Sequence, residues 1–290
     1  MNIKDRIYIT SFYILKFIVN ISPDFLLNKF ANLVAIIVFL LNKKHRKIID
    51  TNLKICFSDK DKKWRNKTSL NIYKNYAKFG IDFIKNQNTT SEKVLKKINF
   101  ENIEILENAL KDQKAIILTT AHYGNWELCA LAYAAKFKAM SVVGRALDSK
   151  IMDKILSKNR GQLDIELINK FGGVKKILQA IKNKRTIGML TDQDASDNES
   201  IKISFFNQKV NYISAASIIA KKTNALLIPA YIYQNNFGTY NIRIFKALDA
   251  NEHSIEELTK YQANTCEEMI KFKPDEYFFF HKRFKQLNVY

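Results

Sequence analysis

Cysteine is scarce in this chain of 290 residues: Cys56, Cys129 and Cys266 are odd in number, far apart and without metal-ligand spacing. That excludes a disulfide framework and a zinc site, and it fits a reducing compartment. Glycine and proline are also few, eight and three respectively, and neither a low-complexity linker nor an internal repeat interrupts the chain. No apolar run reaches the ~18 residues of a clear transmembrane helix. No small-residue cleavage site follows an apolar core, so the N-terminus does not read as a removable signal peptide. Acidic residues are outnumbered, 28 against 47 Lys and Arg, for a formal charge of +19. The excess is spread along the whole length, which points to anionic partners: a membrane surface, a phosphorylated substrate or an acidic carrier protein. Nucleic acid is the competing partner, but clustered aromatic and basic faces and any recognised nucleic-acid motif are missing.

The first forty residues differ in composition from the rest. Residues 7–21 are mostly apolar with Lys16 as the only charge, Pro23 and Asp24 break the run, and residues 30–41 are uncharged. A helical hairpin lying in or dipping into a membrane interface fits this pattern, with Lys43, Lys44, His45, Arg46 and Lys47 following at headgroup level. A single tilted span through residues 7–21, or a pair of core helices in a soluble protein, are the alternatives. Residues 52–104 read as helical and strongly charged. Beyond them, candidate strands at 115–120, 139–143, 165–168, 186–191 and 226–233 alternate with helices, and a turn at 235–238 leads to another strand at 239–245. A helix over 255–271 opens with a capping box of Ser254 and Glu257. The expected class is α/β: a mixed, mostly parallel sheet flanked by helices. Residues 1–50 would form an N-terminal membrane-anchoring helical segment and residues 51–290 the α/β domain.

Chemistry concentrates in AIILTTAHYGNWE, residues 115–127, where a buried strand runs into a turn at Gly124 and Asn125. Asn125 is a good N-cap, which puts Glu127 in the first turn of a helix, where its charge suits the helix dipole. On one continuous helix, His122 and Glu127 would point about 140° apart, so the pair can meet only across such a turn. His45 and Asp50 share the spacing but lie in a basic run with no preceding strand and no turn, and read as a solvated or membrane-facing helix side.

Ligands of open α/β sheets bind outside the carboxyl ends of the parallel strands. Two more candidate strands end usefully, one at Gly144 and Arg145 and one at Thr191, Asp192, Gln193 and Asp194. Arg145 is either an ordinary surface arginine or a planar fork for phosphate or carboxylate. Asp192 and Asp194 are either loop-capping residues or site carboxylates, and without a third partner they give thin support for a metal. Phe205, Phe206 and Phe278 to Phe280 suit a core, or a pocket lined for an acyl chain. Arg160 closes a helix before Gly161, and this topology puts it towards the opposite end of the sheet.

With these residues the chain resembles the bacterial late acyltransferases of lipid A biosynthesis, the lauroyl and myristoyl transferase family within the wider H-x4-D/E glycerolipid acyltransferase group. The resemblance runs nearly end to end: RKIIDTNLKICF, HYGNWE, Arg145, the NRG around Arg160, GGVKKILQAIKNKRTIGMLTDQD, Phe205 and Phe206, and the closing EYFFFHKRFK. One departure is Asn207, where many relatives have glycine. The resemblance implies a glycerolipid-acyltransferase-like fold on the cytoplasmic face of the bacterial inner membrane. It also implies transfer of a fatty acyl group from acyl carrier protein to a hydroxyl of a Kdo-bearing lipid A precursor, an anionic glycolipid acceptor. His122 and Glu127 match the catalytic pair, and Arg160 and Asp192 match further site residues, beside Arg145 and Asp194 as candidate substrate contacts. No metal and no cofactor are called for.

In this reading a neutral His122 takes the hydroxyl proton, and Glu127 on the other ring nitrogen fixes the tautomer. No nucleophilic Ser or Cys adjoins His122, which argues for direct transfer without an acyl-enzyme. The alternatives are another glycolipid or glycerolipid acceptor, or a non-enzymatic basic protein that binds membranes or nucleic acid.

Overall fold

The computed structural model describes residues 3–137, 139–147 and 149–290; Met1 and Asn2 of the expected anchoring segment lie outside the described residues. In chain order the elements are α1 (Ile3–Ile21), α2 (Asp24–Leu41), α3 (Lys43–Cys56), α4 (Lys62–Lys85), α5 (Ser91–Leu95), β1 (Ile98–Glu101), α6 (Ile103–Lys111), β2 (Ile116–Thr120), α7 (Trp126–Phe137), β3 (Met140–Gly144), α8 (Lys150–Arg160), β4 (Ile165–Asn169), α9 (Val174–Lys182), β5 (Thr186–Leu190), β6 (Ser200–Phe205), β7 (Gln208–Ile213), α10 (Ala215–Thr223), β8 (Leu226–Asn236), β9 (Thr239–Ile244), β10 (Leu248–Asp249) and α11 (Ile255–Phe272).

The main sheet runs β1-β9-β8-β2-β5-β3-β4, with β10 pairing β8, and β6 with β7 forms a separate hairpin. Strands β8, β2, β5, β3 and β4 are mutually parallel, and β9 is antiparallel to β8. This is the expected α/β class, a mixed and mostly parallel sheet between helices. Period-two alternation divides the core. Ile116 and Leu118 of β2 pack with Leu128 and Leu131 of α7, whereas Ile117 packs with Ile177 of α9 and Ala216 of α10. The Ser254 and Glu257 capping box opens α11 as expected.

At the N-terminus, α1 and α2 are both helices, joined at Ser22 and Pro23, and both pack on α4. Leu27, Ala31 and Ala35, spaced four apart, form the one buried stripe of α2. Leu27 and Ala31 meet Ile81 and Ile84 of α4, joined by Val19 of α1, whereas Ala35 packs in the cluster of Ile49, Leu53 and Tyr73. The rest of the apolar surface stays outside: most exposed large apolar side chains among the described residues belong to α1 and α2. At 18 residues, α2 is long and apolar enough to cross a membrane, although Asp24 and Asn28 keep its uninterrupted apolar run shorter than that. The boundary expected at residue 50 falls inside α3, which runs unbroken from Lys43 to Cys56.

Two stretches depart from the sequence expectation. β1 (INFE) is a half-exposed edge strand whose alternation, Ile98 and Phe100 against Asn99 and Glu101, spans only four residues inside a stretch that reads as helical. The β6–β7 hairpin turns on Phe206 and Asn207, both at positive φ, 50° and 58°. Asn207 thus occupies the left-handed position that glycine serves, which asparagine tolerates through its short polar side chain. Phe206 is held there by burial and by its backbone N–H, which donates to Glu267 Oε2 at 2.6 Å.

Gly124, between β2 and α7, has φ +57°, and a Cβ there would stand 1.9 Å from the Ile232 carbonyl oxygen of β8. Gly238 also has positive φ, +80°, but faces open space. Gly238→Ala should therefore cost only the left-handed backbone strain, ~1–2 kcal/mol. Gly124→Ala should cost several kcal/mol more, because β8 cannot move away without breaking its pairing with β2. Equal melting temperatures for the two variants would refute this account.

Candidate active site

The register of the sheet builds the site. Thr120 of β2 sits beside Leu190 of β5 in a parallel pair, so the residues two beyond each strand, His122 and Asp192, emerge side by side at the carboxyl edge. Asp192 Oδ1 accepts twice from His122, from the backbone N–H at 3.0 Å and from ring Nδ1 at 2.9 Å. Asp192 is fully buried, whereas the His122 side chain keeps 20% exposure. Burial alone would push the Asp192 carboxyl up, but His122, with a contribution from His281, holds it well below the usual carboxylate range. An ionised carboxylate only accepts, so Nδ1 donates to Asp192 and Nε2 is the ring nitrogen that faces away from it. The Gln193 amide nitrogen lies 3.4 Å from Nε2.

Glu127 does not take the place expected for it. Asn125 does cap α7, its Oδ1 accepting from the Leu128 N–H at 3.1 Å, and Glu127 lies in the first turn. Its carboxylate, however, accepts from Arg160 Nε at 2.8 Å, from Arg160 Nη2 and from the Trp126 indole at 3.0 Å. The orienting partner of His122 is Asp192 instead. The physical reason is adjacency: β5 lies next to β2, while the first turn of α7 carries residue 127 beneath the Trp126 ring.

Arg160 corrects the topological expectation. It is the last residue of α8, yet its guanidinium lies over the carboxyl end of β3, where Nη1 would be 3.4 Å from a Cβ on Gly144. A long side chain spans what the helix end does not. Arg145 is exposed just beyond β3. Asp194 Oδ1 accepts from Gln286 at 3.2 Å, and partial burial raises its carboxyl. Among the described residues no cluster of three His, Cys, Asp or Glu could hold a metal ion.

Aromatic rings wall the exposed side of His122. Its ring centroid is 5.1 Å from Trp126 and 6.1 Å from Phe278. Phe79 and Tyr76 of α4 stack behind Trp126 at 4.7 and 6.0 Å, and Phe280 lies 5.1 Å from Phe278. Of the phenylalanines read as core or pocket, Phe205, Phe206 and Phe279 are buried in core, while Phe278 and Phe280 are half-exposed at the site. Trp126, Gln193 and His281 are not among the expected site residues, although each lies within a quoted motif: HYGNWE, TDQD and EYFFFHKRFK.

The profile of the family described as bacterial lipid A biosynthesis acyltransferase matches residues 4–286. The chain belongs to that family. It is 22% identical over 251 residues to "Lipid A biosynthesis acyltransferase 2" of Shigella flexneri, covering 84% of this chain and 79% of that protein. A phosphatidylinositol mannoside acyltransferase of Mycolicibacterium smegmatis is 19% identical over 167 residues, covering 56% of this chain and 54% of its own. Among solved structures, the 1-acyl-sn-glycerophosphate acyltransferase of Thermotoga maritima aligns with a TM-score of 0.42 at 13% identity, covering 84% of this chain and 97% of that one. Family membership makes this protein an acyltransferase of lipid A biosynthesis, and it places His122 and Asp192 inside the matched span.

The loop bearing His122 is clamped by the chain's C-terminal segment. Gly124 N–H donates to the Glu276 carbonyl and Phe278 N–H to the His122 carbonyl, both at 2.9 Å. The Glu276 side chain accepts from the Gln234 N–H at 3.1 Å, and burial pushes its carboxyl up to about 7 despite Lys273 at 3.4 Å. Between its ordinary value of 4.5 and about 7, the folded chain holds a proton that the unfolded chain has released. This contribution to stability is full below 4.5 and is lost as pH rises through 7. Glu276→Gln keeps the acceptor and removes the titration. Its melting temperature should gain on that of the parent as pH rises through this window, by at most ~1.4 kcal/mol per pH unit. His281, which burial holds down to about 4, acts with the opposite sign, but both proteins carry it. Parallel melting curves against pH would sink this assignment.

Proposed function

We propose that the protein transfers a fatty acyl chain from acyl carrier protein to a hydroxyl of a Kdo-bearing lipid A precursor, with His122 as general base. The observation that carries this reading is the doubly bonded Asp192, which holds the His122 ring through Nδ1 and turns Nε2 away from the carboxylate. Nε2 takes the hydroxyl proton as the oxygen attacks the thioester carbonyl. The carbon–sulfur bond then breaks, and the proton passes to the departing thiolate. Asp192 stabilises the imidazolium formed in between, as the third member of a triad does. The residues near His122 supply no thiolate for an acyl-enzyme: Cys129 and Cys266 are buried, and burial pushes the Cys129 thiol up to about 12.

Glu127 and Arg160 form a second charged pair at the same rim. In this reading Glu127 fixes the Arg160 guanidinium, whose remaining donors, with exposed Arg145, meet anionic groups of the acceptor. Asp194 borders the same rim. The aromatic wall from Tyr76 to Phe280 gives the acyl chain an apolar bed, and α1 and α2 would seat the enzyme on the inner membrane at its cytoplasmic face, where acyl carrier protein is available. The net charge of +19 favours both the acidic carrier and the anionic membrane. The mannoside-directed relative keeps another glycolipid acceptor as the second reading.

His122→Ala should lower transfer ~100- to 10,000-fold without loss of membrane binding. Asp192→Asn should cost up to about 10,000-fold, the size known for neutralising the third member of a Ser-His-Asp triad. Glu127→Gln should weaken acceptor binding as well as turnover, since it loosens Arg160. Steady-state assays with acyl carrier protein thioester and varied acceptor separate these effects. If Glu127→Gln abolished turnover while Asp192→Asn stayed near wild type, the base would be oriented by Glu127 and this reading would be wrong. Mass spectrometry of lipid A from cells lacking the protein identifies the acceptor.

A further inference from the structure

An open cavity of about 590 Å³ lies away from His122, between α3, α4 and the end of α2. Lys43, Arg46 and Lys47 line it from α3, Lys62 and Lys67 from α4, and Phe39 from the last turn of α2. Among the described residues none of these five cations makes an ion pair. The one carboxylate in the lining, Asp50, is taken by Arg65 Nε at 2.8 Å. Like charges that face each other across a concave site raise the local potential and favour an anion. Surface lysines on a helix need not converge in this way, and here two helices bring them together.

The position of the cavity defines the class of anion. It begins where the exposed apolar face of α2 ends at Leu41, which is the depth of the headgroups for a helix lying in or through the hydrocarbon. Phe39, with the Arg46 guanidinium 5.0 Å above its ring, joins the apolar and charged zones. From Phe39, ring contacts lead through Tyr73 (5.5 Å), Phe280 (4.9 Å) and Phe278 (5.1 Å) to His122 (6.1 Å). We propose that this cavity is the subsite for the phosphate-bearing headgroup of the lipid acceptor, whose chains lie along α2 and whose hydroxyl reaches His122 over the aromatic shelf. The assignment of the headgroup to the acceptor rests on the acyl-transfer reading; the binding site itself does not.

The test uses the full-length protein and vesicles of phosphatidylcholine with or without a minor fraction of phosphatidic acid as the phosphomonoester probe. Arg46→Gln/Lys47→Gln/Lys67→Gln is compared with a control triple of equal charge loss, Lys111→Gln/Lys182→Gln/Lys260→Gln, three exposed lysines on α6, α9 and α11. Each cation near an anionic headgroup is worth roughly fivefold in affinity, so the cavity triple should lose on the order of 100-fold for the doped vesicles and the control only a few-fold. Thermal melts check that both fold. Lys43→Gln/Lys62→Gln, with no cation in common with the first triple, should show a smaller loss in the same direction. His122→Ala should bind the doped vesicles as the parent does, which separates failure of this site from failure of the catalytic reading. Equal losses in both triples would mean that only diffuse surface charge acts. Displacement of the vesicles by inorganic phosphate at comparable phosphate concentration would mean a free-anion site, and no loss at all an empty groove. Any of these overturns the proposal.

Discussion

One carboxylate oxygen, Asp192 Oδ1, holds both the backbone and the ring of His122. Much of the arrangement around it follows from that constraint. The backbone bond fixes where the chain leaves β2, and the ring bond fixes which nitrogen faces away from the carboxylate. Both need Asp192 ionised while fully buried, a state that costs several kcal/mol unless it is offset by close donors. His122 supplies those donors and His281 adds a favourable field. The interaction is possible only because β2 and β5 are parallel neighbours in register, so the sheet determines the chemistry more directly than any helix does.

A second constraint keeps that geometry from relaxing. The C-terminal segment bridges the His122 loop through the carbonyl of Glu276 and the N–H of Phe278, and it is itself tied to distant elements. Asn52 of α3 donates to the Phe279 and His281 carbonyls at 2.9 Å, and the buried Arg283 donates to the Asn211 carbonyl of β7 at 3.0 Å. Helix α3, a strand hairpin and strand β8 thus hold the segment that bonds His122 and Gly124. Such convergence lets a left-handed glycine with no room for a methyl group persist beside His122.

The readable parts of the sequence were those with a local signal. β2, β5 and the first nine residues of β8 are buried on both faces and show as apolar runs, and α7 and α11 carry their caps in sequence. β1 is half-exposed and only four residues long, and the β6–β7 turn uses phenylalanine and asparagine where a glycine would have announced it. Within the site, the histidine and its turn were legible because residues 115–127 contain strand, turn and cap together. Its partner was not. Asp192 and Glu127 are both carboxylates near the same rim, and which of them meets His122 depends on strand order across a separation of 70 residues. Arg160 was misplaced for a related reason, since side-chain reach is not encoded in the position of a helix end.

Helix α4 links the exposed apolar helices α1 and α2 to the candidate site. Ile81 and Ile84 take Leu27 and Ala31 of α2, Lys62 and Lys67 line the basic cavity, and Tyr76 and Phe79 back the Trp126 ring beside His122. At 24 residues α4 spans roughly 36 Å at 1.5 Å per residue, long enough to reach all three. In the proposed reading, a lipid lying along α2 meets the basic cavity, then the rings backed by α4, then His122. This ordering accounts for an α4 that is apolar towards α2, cationic at its start and aromatic near its middle, a pattern that packing against the sheet alone would not require.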